Sequence, residues 1–325
     1  MRSAGTVCCA DSPAILSRMR TFPLNRLVAG ALIAFLFQPV PGLGWGNGGH
    51  RLVNRLAAAS LPADVPAFMR TTAAIEEIEY LGPEPDRWRS RGEPELERAQ
   101  APEHFINLEP ADALGPLPRN RLDFEAVVFA HSQRPEKIGL QPWQTLEVWQ
   151  RLKAALRDYR HLSAANPVNE KDLNGAQQAA IFYAGWLGHY VGDGSQPLHT
   201  TINYDGWGLK DNPGAFSTAH GIHWRFEGTF VDANLPAITL DAQKKIAPLQ
   251  PVSGDIFDSY VAYLRHSATM IDSVYTFDKA GAFEKAGTAE SRDFTASRIA
   301  AGASELRDLI YAAWVESAKP VADRY

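Results

Sequence analysis

The run His189-Tyr-Val-Gly-Asp193-Gly-Ser-Gln-Pro-Leu-His199 closes an apolar-periodic segment that begins near Gly175. A spacing of four puts His189 and Asp193 on one helical face, within reach of a single ion. Gly194 and Pro197 are expected to stop the helix and let His199 swing back from the following loop. Taken alone the pair is ambiguous, because many helices carry such a pair as a surface hydrogen bond. The same spacing of apolar residues by three and four recurs in 49–60, 141–160, 175–192, 255–274 and 294–317, whereas strand-like alternation is scarce. These patterns predict an all-α fold. Trp143, Leu146, Trp149, Leu152, Leu156 and Tyr159 form one core-facing stripe, and Leu306, Ile310, Ala313 and Trp314 form another. Between helices the chain is expected to run through Pro/Gly-rich loops, notably 81–120 and 203–219. The second, with Tyr204, Trp207 and Phe216, suits a substrate lip and a packed surface loop equally.

The N-terminal region has the order of a secretory signal: basic residues (Arg18, Arg20, Arg26), an apolar run Leu27–Leu36, then Gly42-Leu43-Gly44. Cleavage is expected before Trp45, with Met19 an alternative start and an uncleaved anchor the alternative reading. Both cysteines, Cys8 and Cys9, fall in the discarded part, so any metal must be held by His and carboxylate. Residues 1–44 also carry Arg2, Arg18, Arg20, Arg26 and Asp11; without them 28 basic and 36 acidic residues leave a formal charge of −8. Such a surface excludes a phosphate-binding groove built from Lys and Arg. No other segment is apolar enough to span a membrane. The remaining 281 residues, 45–325, are expected to form one mainly helical domain of a secreted or periplasmic protein.

Further candidate ligands lie on both sides of the opening motif. His223-Trp-Arg-Phe-Glu227 repeats the four-residue spacing; His220 is a competing histidine, with His223 preferred for its carboxylate one turn on. Trp45-Gly-Asn-Gly-Gly-His50 places a histidine five residues after the expected new terminus, whose free α-amine can chelate zinc together with its own carbonyl. A flexible glycine-rich tail is the bland alternative. Asp86, in Pro85-Asp86-Arg87-Trp88, and His104, in Glu103-His104-Phe105-Ile106-Asn107, complete the set, although each also suits a surface or capping position.

Read in order, Trp45, His50, Asp86, His104, His189, Asp193, His199, His223 and Glu227 resemble the zinc-dependent family that joins single-strand-specific nucleases to the bacterial three-zinc phospholipases C. The resemblance implies an α-helical fold with a trinuclear zinc cluster at the base of a cleft. It implies one zinc on Asp86, His104, His189 and Asp193, a second on His199, His223 and Glu227, and a third on Trp45, His50 and a bridging Asp193. Asp86 and Asp193, with a zinc-bound water, are the expected catalytic residues, and three zinc ions bring the positive charge that the acidic surface lacks. Manganese or cobalt would suit the same donors. The expected substrate is single-stranded DNA or RNA, with 3′-nucleotide phosphatase action, and Phe105, Asn107 or the 203–219 loop would contact it. The alternatives are a phosphatidylcholine-type phospholipase C and a non-catalytic zinc-binding module. Glu227 within His-Trp-Arg-Phe-Glu and Val53-Asn54-Arg55 lean toward the phospholipases, whereas the short Trp45–His50 spacing leans toward the nucleases. Asn107 stands where an acid is usual, and a helix-rich insert around 120–165 is expected to reshape the cleft. A monomer with no protein partner is expected.

Overall fold

The computed structural model describes residues 45–90, 92–252 and 254–320; the expected leader and both cysteines lie outside the described residues. In chain order the helices are α1 (Asn47–Ala59), α2 (Thr72–Leu81), α3 (Glu84–Trp88), α4 (Pro94–Gln100), α5 (Leu108–Ala113), α6 (Arg121–Ala130) and α7 (Pro135–Ile138). They continue as α8 (Gln141–Ala164), α9 (Glu170–Ser195), α10 (Ile222–Trp224), α11 (Val231–Lys245), α12 (Ile256–Ala268), α13 (Ile271–Lys279) and α14 (Ala289–Glu316). Among the described residues there is no strand, only an isolated bridge between Tyr204 and Gly206. The fold is all-α, and no described helix is long and apolar enough to cross a membrane.

The axis of the fold is α9. Asn169 caps its N-terminus by accepting from the Asp172 amide, and Glu170 and Asp172 complement the helix dipole there. Its first half buries only a stripe, Ala176, Ala180 and Ala184, but from Leu187 onward every residue to Ser195 is buried. That change from one covered face to all faces carries His189 and Asp193 inside. Helices α1, α2, α8 and α14 surround it. Close approach is possible because Gly185 and Gly188 have no side chain: a Cβ at Gly185 would lie 2.4 Å from Leu81 Cβ, and one at Gly188 1.9 Å from Asn54 Oδ1. Asn54 uses the space, donating through Nδ2 to the carbonyls of Ile78 (2.8 Å) and Gly185 (2.9 Å), which ties α1, α2 and α9 together. Trp149 Nε1 likewise joins α8 to α14 by donating to the Leu309 carbonyl (2.9 Å). Full burial of apolar side chains such as Leu187, Leu152 and Leu309 adds roughly 1.5–3 kcal/mol each.

Three sequence expectations change. The segment 81–120 is not a plain loop: it holds α3, α4, a 3₁₀ turn Ala101–His104 and α5. Its prolines act as helix starters, with Pro85, Pro94 and Pro102 in first turns, where the missing N–H has no intrahelical partner to lose. The expected single helix over 255–274 is two, α12 and α13. Thr269 folds its hydroxyl and amide back onto the His266 carbonyl, while Leu264 and Val274 keep facing the core and preserve the apolar period across the break. Gly194 does not stop α9 but lies within it, packed so closely on α12 that a Cβ would sit 2.8 Å from the Tyr260 hydroxyl; the stop comes at Gln196, before Pro197.

Candidate metal centre

Asp193 lies at the middle of the nine sequence candidates. Its Oδ1 is 3.3 Å from His50 Nε2 and 3.6 Å from His199 Nδ1, and its Oδ2 is 3.2 Å from His104 Nδ1 and 3.3 Å from His189 Nε2. The chain brings these together from α1, the 3₁₀ turn ending at His104, two successive turns of α9, and the 3₁₀ turn Pro197–Thr200. Asp86, from α3, closes the group at the side: its carboxylate is 3.7 Å from His104 Nδ1 and 3.9 Å from both His50 Nε2 and His189 Nε2. A second cluster joins His199, His223 and Glu227, with His223 Nε2 3.2 Å from His199 Nε2 and 2.9 Å from Glu227 Oε2. Glu227 stands on the π-helical turn Arg225–Phe230 that links α10 to α11. Three groups could thus hold an ion: His50/His189/Asp193, Asp86/His104/His189 and His199/His223/Glu227.

The chemistry of these donors fits metal. An ion about 2.0 Å from each of its tetrahedral ligands keeps those ligands roughly 3.3 Å apart, and the short contacts above cluster near that value. Both ring nitrogens of His50, Nε2 of His104, Oδ1 of Asp86 and both oxygens of Asp193 are buried without a hydrogen-bond partner. Buried polar atoms are normally satisfied, and a cation would satisfy His50 Nε2, Asp86 Oδ1 and the Asp193 oxygens, which face one another; His50 Nδ1 and His104 Nε2 are on the opposite side of their rings from these contacts.

The rings are also oriented from behind. Nδ1 of His189 donates to the Gly82 carbonyl (2.8 Å), Nδ1 of His199 to the His104 carbonyl (2.7 Å), and Nδ1 of His223 to the Tyr204 carbonyl (2.9 Å), leaving each Nε2 to face the cluster. Gln196 does the same for a carboxylate: its Nε2 donates to Glu227 Oε2 (2.8 Å) while its Oε1 accepts from the Leu198 amide (2.6 Å). None of these backbone partners is visible in a residue pattern, and Gln196 is marked only by its place between Asp193 and His199.

Burial sets the protonation states. It pushes His50 and His104 well below the usual imidazole range, helped by the charge of His189, and takes His189 down to about 4, so these rings stay neutral and able to bind a cation. Burial drives Asp193 well above the ordinary carboxyl range and Asp86 up to about 7, so in the metal-free cluster both resist ionisation. At the second group burial opposes charge, yet the two histidines outweigh it: Glu227 is held at about 2, and the Glu227 carboxylate raises His223.

The other sequence candidates fall as follows. Trp45 is fully buried, its Nε1 donating to Ser195 Oγ (2.8 Å) and its ring edge-on to Phe226, while the Gly46 amide donates to the Glu227 carbonyl (3.2 Å). His220 turns away, 85% exposed and 3.4 Å from Asp205. Phe105 and Asn107 line a cavity of about 220 Å³ together with His104, His199, His223, Arg89, Lys137, Glu136 and Tyr204. The Asn107 amide is not free there: Nδ2 donates to the Lys137 carbonyl (2.8 Å). Trp207 and Phe216 point inward and anchor the 203–219 loop, most of whose other residues are exposed, and Tyr204 lies at the cleft.

An all-helical frame around clustered imidazoles and carboxylates, beside a small cleft lined by Arg89, Lys137 and Glu136, suits a metal-dependent hydrolase. Residues 45–214 match the model of the S1/P1 nuclease family, and the chain belongs to that family. Its activity is therefore of the nuclease type, hydrolysis of phosphodiester bonds with nucleic acid as the substrate class. The match ends before His223 and Glu227, which the folded geometry places beside His199 as the sequence series expects. No curated protein matches the chain.

Proposed function

We propose that the protein is an exported nuclease that cuts single-stranded DNA and RNA, also removes 3′-phosphates from nucleotides, and carries three zinc ions. The observation that supports it best is the placing of Asp193 among four imidazoles, two of which, His104 and His199, also line a narrow cleft. An unpaired strand can bend a phosphate into such a recess and lay a base against Phe105 or Tyr204, whereas a duplex holds its phosphates on a stiff rod. Arg89 and Lys137 on the cleft lining suit a phosphate, while Phe105, Tyr204 and Glu136 beside them are the aromatic and acidic groups a choline lipid would use, so the lipid is kept as a comparison substrate.

Asp86, His104, His189 and Asp193 would hold one zinc, His199, His223 and Glu227 a second, and His50 and Asp193 a third together with the terminus at Trp45. When bound, such ions supply positive charge for the phosphate oxygens and acidify water, taking its pKa to near ~7. The protein's own part is to keep His50, His104 and His189 neutral by burial, to orient His189, His199 and His223 through the Gly82, His104 and Tyr204 carbonyls, and to hold Asp86 and Asp193 where a proton can be accepted. In the full-length chain the Trp45 nitrogen belongs to a peptide bond, so removal of residues 1–44 would create the last donor. We propose that this removal accompanies export to the periplasm or medium, and that the mature 45–325 chain acts as a monomeric single domain.

The test compares release of nucleotides from single-stranded DNA, the same sequence as a duplex, and a soluble short-chain phosphatidylcholine. Preferential cutting of the single strand is expected. Lipid cleavage without nucleotide release would overturn the proposal.

A further inference from the structure

One face of the molecule beside the cluster carries more aromatic rings than its packing uses. Trp88, at the end of α3, meets Trp186 of α9 edge-on at 5.2 Å; Trp186 lies 5.9 Å from Phe182 and 6.3 Å from Tyr183. Phe182 is 38% exposed, and the other three rings are half-buried. Arginines sit on this strip in alternation with the rings. Arg151 of α8 lies 5.3 Å over Trp186 and pairs with Glu147, and the exposed Arg87 lies 4.4 Å over Tyr80, itself 49% exposed, and pairs with Glu84.

We propose that this strip is a stacking platform for an unpaired nucleic acid strand on its way out of the cleft, a proposal that rests on the nuclease reading above. Three observations carry it. The cleft, at about 220 Å³, falls below the ~300–1,000 Å³ of common ligand pockets, so most of a polymer must lie outside it. The strip is continuous with the centre: Trp88 stands two residues after Asp86 and next to Arg89 of the cleft wall, and Trp186 one turn before His189. In a chain whose 45–325 segment has a formal charge of −8, aromatic rings interleaved with arginine are the chemistry that grips bases by their faces and phosphates by charge.

The experiment uses the mature protein with Phe182→Ala, Arg151→Ala and the double variant, and Trp186→Phe as a ring-preserving control. Cleavage of a twelve-residue single strand is compared with cleavage of a dinucleotide and of bis(p-nitrophenyl) phosphate, and binding of a fluorescent phosphorothioate twelve-mer is followed by anisotropy. The double variant is expected to lose roughly tenfold in kcat/KM and in binding on the twelve-mer, with dinucleotide and small-ester hydrolysis unchanged and Trp186→Phe close to the parent. Equal loss on long and short substrates, no loss on either, or weakened binding to phosphatidylcholine vesicles with strand binding intact would each overturn the platform. A parent enzyme that hydrolyses the small ester but neither nucleic acid substrate would instead defeat the nuclease reading on which it rests.

Discussion

Asp193 shows how much one residue is asked to do: two carboxylate oxygens face His50, His104, His189 and His199 within 3.6 Å. Asp193→Asn replaces one oxygen by a donor aimed at nitrogens. It is expected to lower bound metal and to cut activity by more than the ~10–100-fold typical of changing an outer partner of a ligand. Gln196→Ala, which removes the donor to Glu227, should fall within that smaller range. Metal analysis and rate measurements on both variants decide this, with circular dichroism confirming the fold. Away from the centre, Glu305 of α14 is raised to about 7 by burial and by the charge of Asp308. Its folded pKa exceeds the unfolded value, so between about 4.5 and 7 the folded state binds more protons and stability falls as pH rises. Glu305→Gln is therefore expected to gain on the parent by about 3 kcal/mol at pH 8 and nothing at pH 4. Urea melts across that range check it; an equal difference at both ends would contradict it.

At the scale of elements, the centre is assembled by how closely α9 lets its neighbours approach. Gly188→Ala would drive a methyl into Asn54 and push α1, with His50, away from His189, whose ring now stacks on His50 at 4.0 Å. A loss of about 1–3 kcal/mol in stability is expected, together with reduced metal binding, readable from thermal melts with and without chelator. The long helices were legible in the sequence because their apolar spacing survives any detail of packing: 141–160 and 175–192 lie within α8 and α9. The short ones were not. Prolines at 85, 94 and 102 look like breakers until their position in a first turn is known, and α12 and α13 share one apolar period although Thr269 divides them. The same physics divides the site. His189 with Asp193, and His223 with Glu227, are readable because one helical turn separates them. Asp86 and His104 sit on short proline-headed turns whose direction no spacing reveals, so the residues alone left each equally suited to a surface or capping position and the family resemblance gave them their place.

For the whole molecule, the N-terminus joins maturation to the centre. Trp45 is fully buried against Ser195 and Phe226, and Gly46 is pinned to the Glu227 backbone, so the expected cleavage point is held beside the cluster rather than trailing from it. A protein beginning one residue earlier, at Gly44, should keep its helix content and lose the third ion, with metal content near two. The account as a whole stands on a trinuclear cluster completed by the free terminus. Its most direct test is the zinc content of the purified chain starting at Trp45, measured by mass spectrometry under native conditions: three ions per molecule are expected, and two or fewer would contradict it.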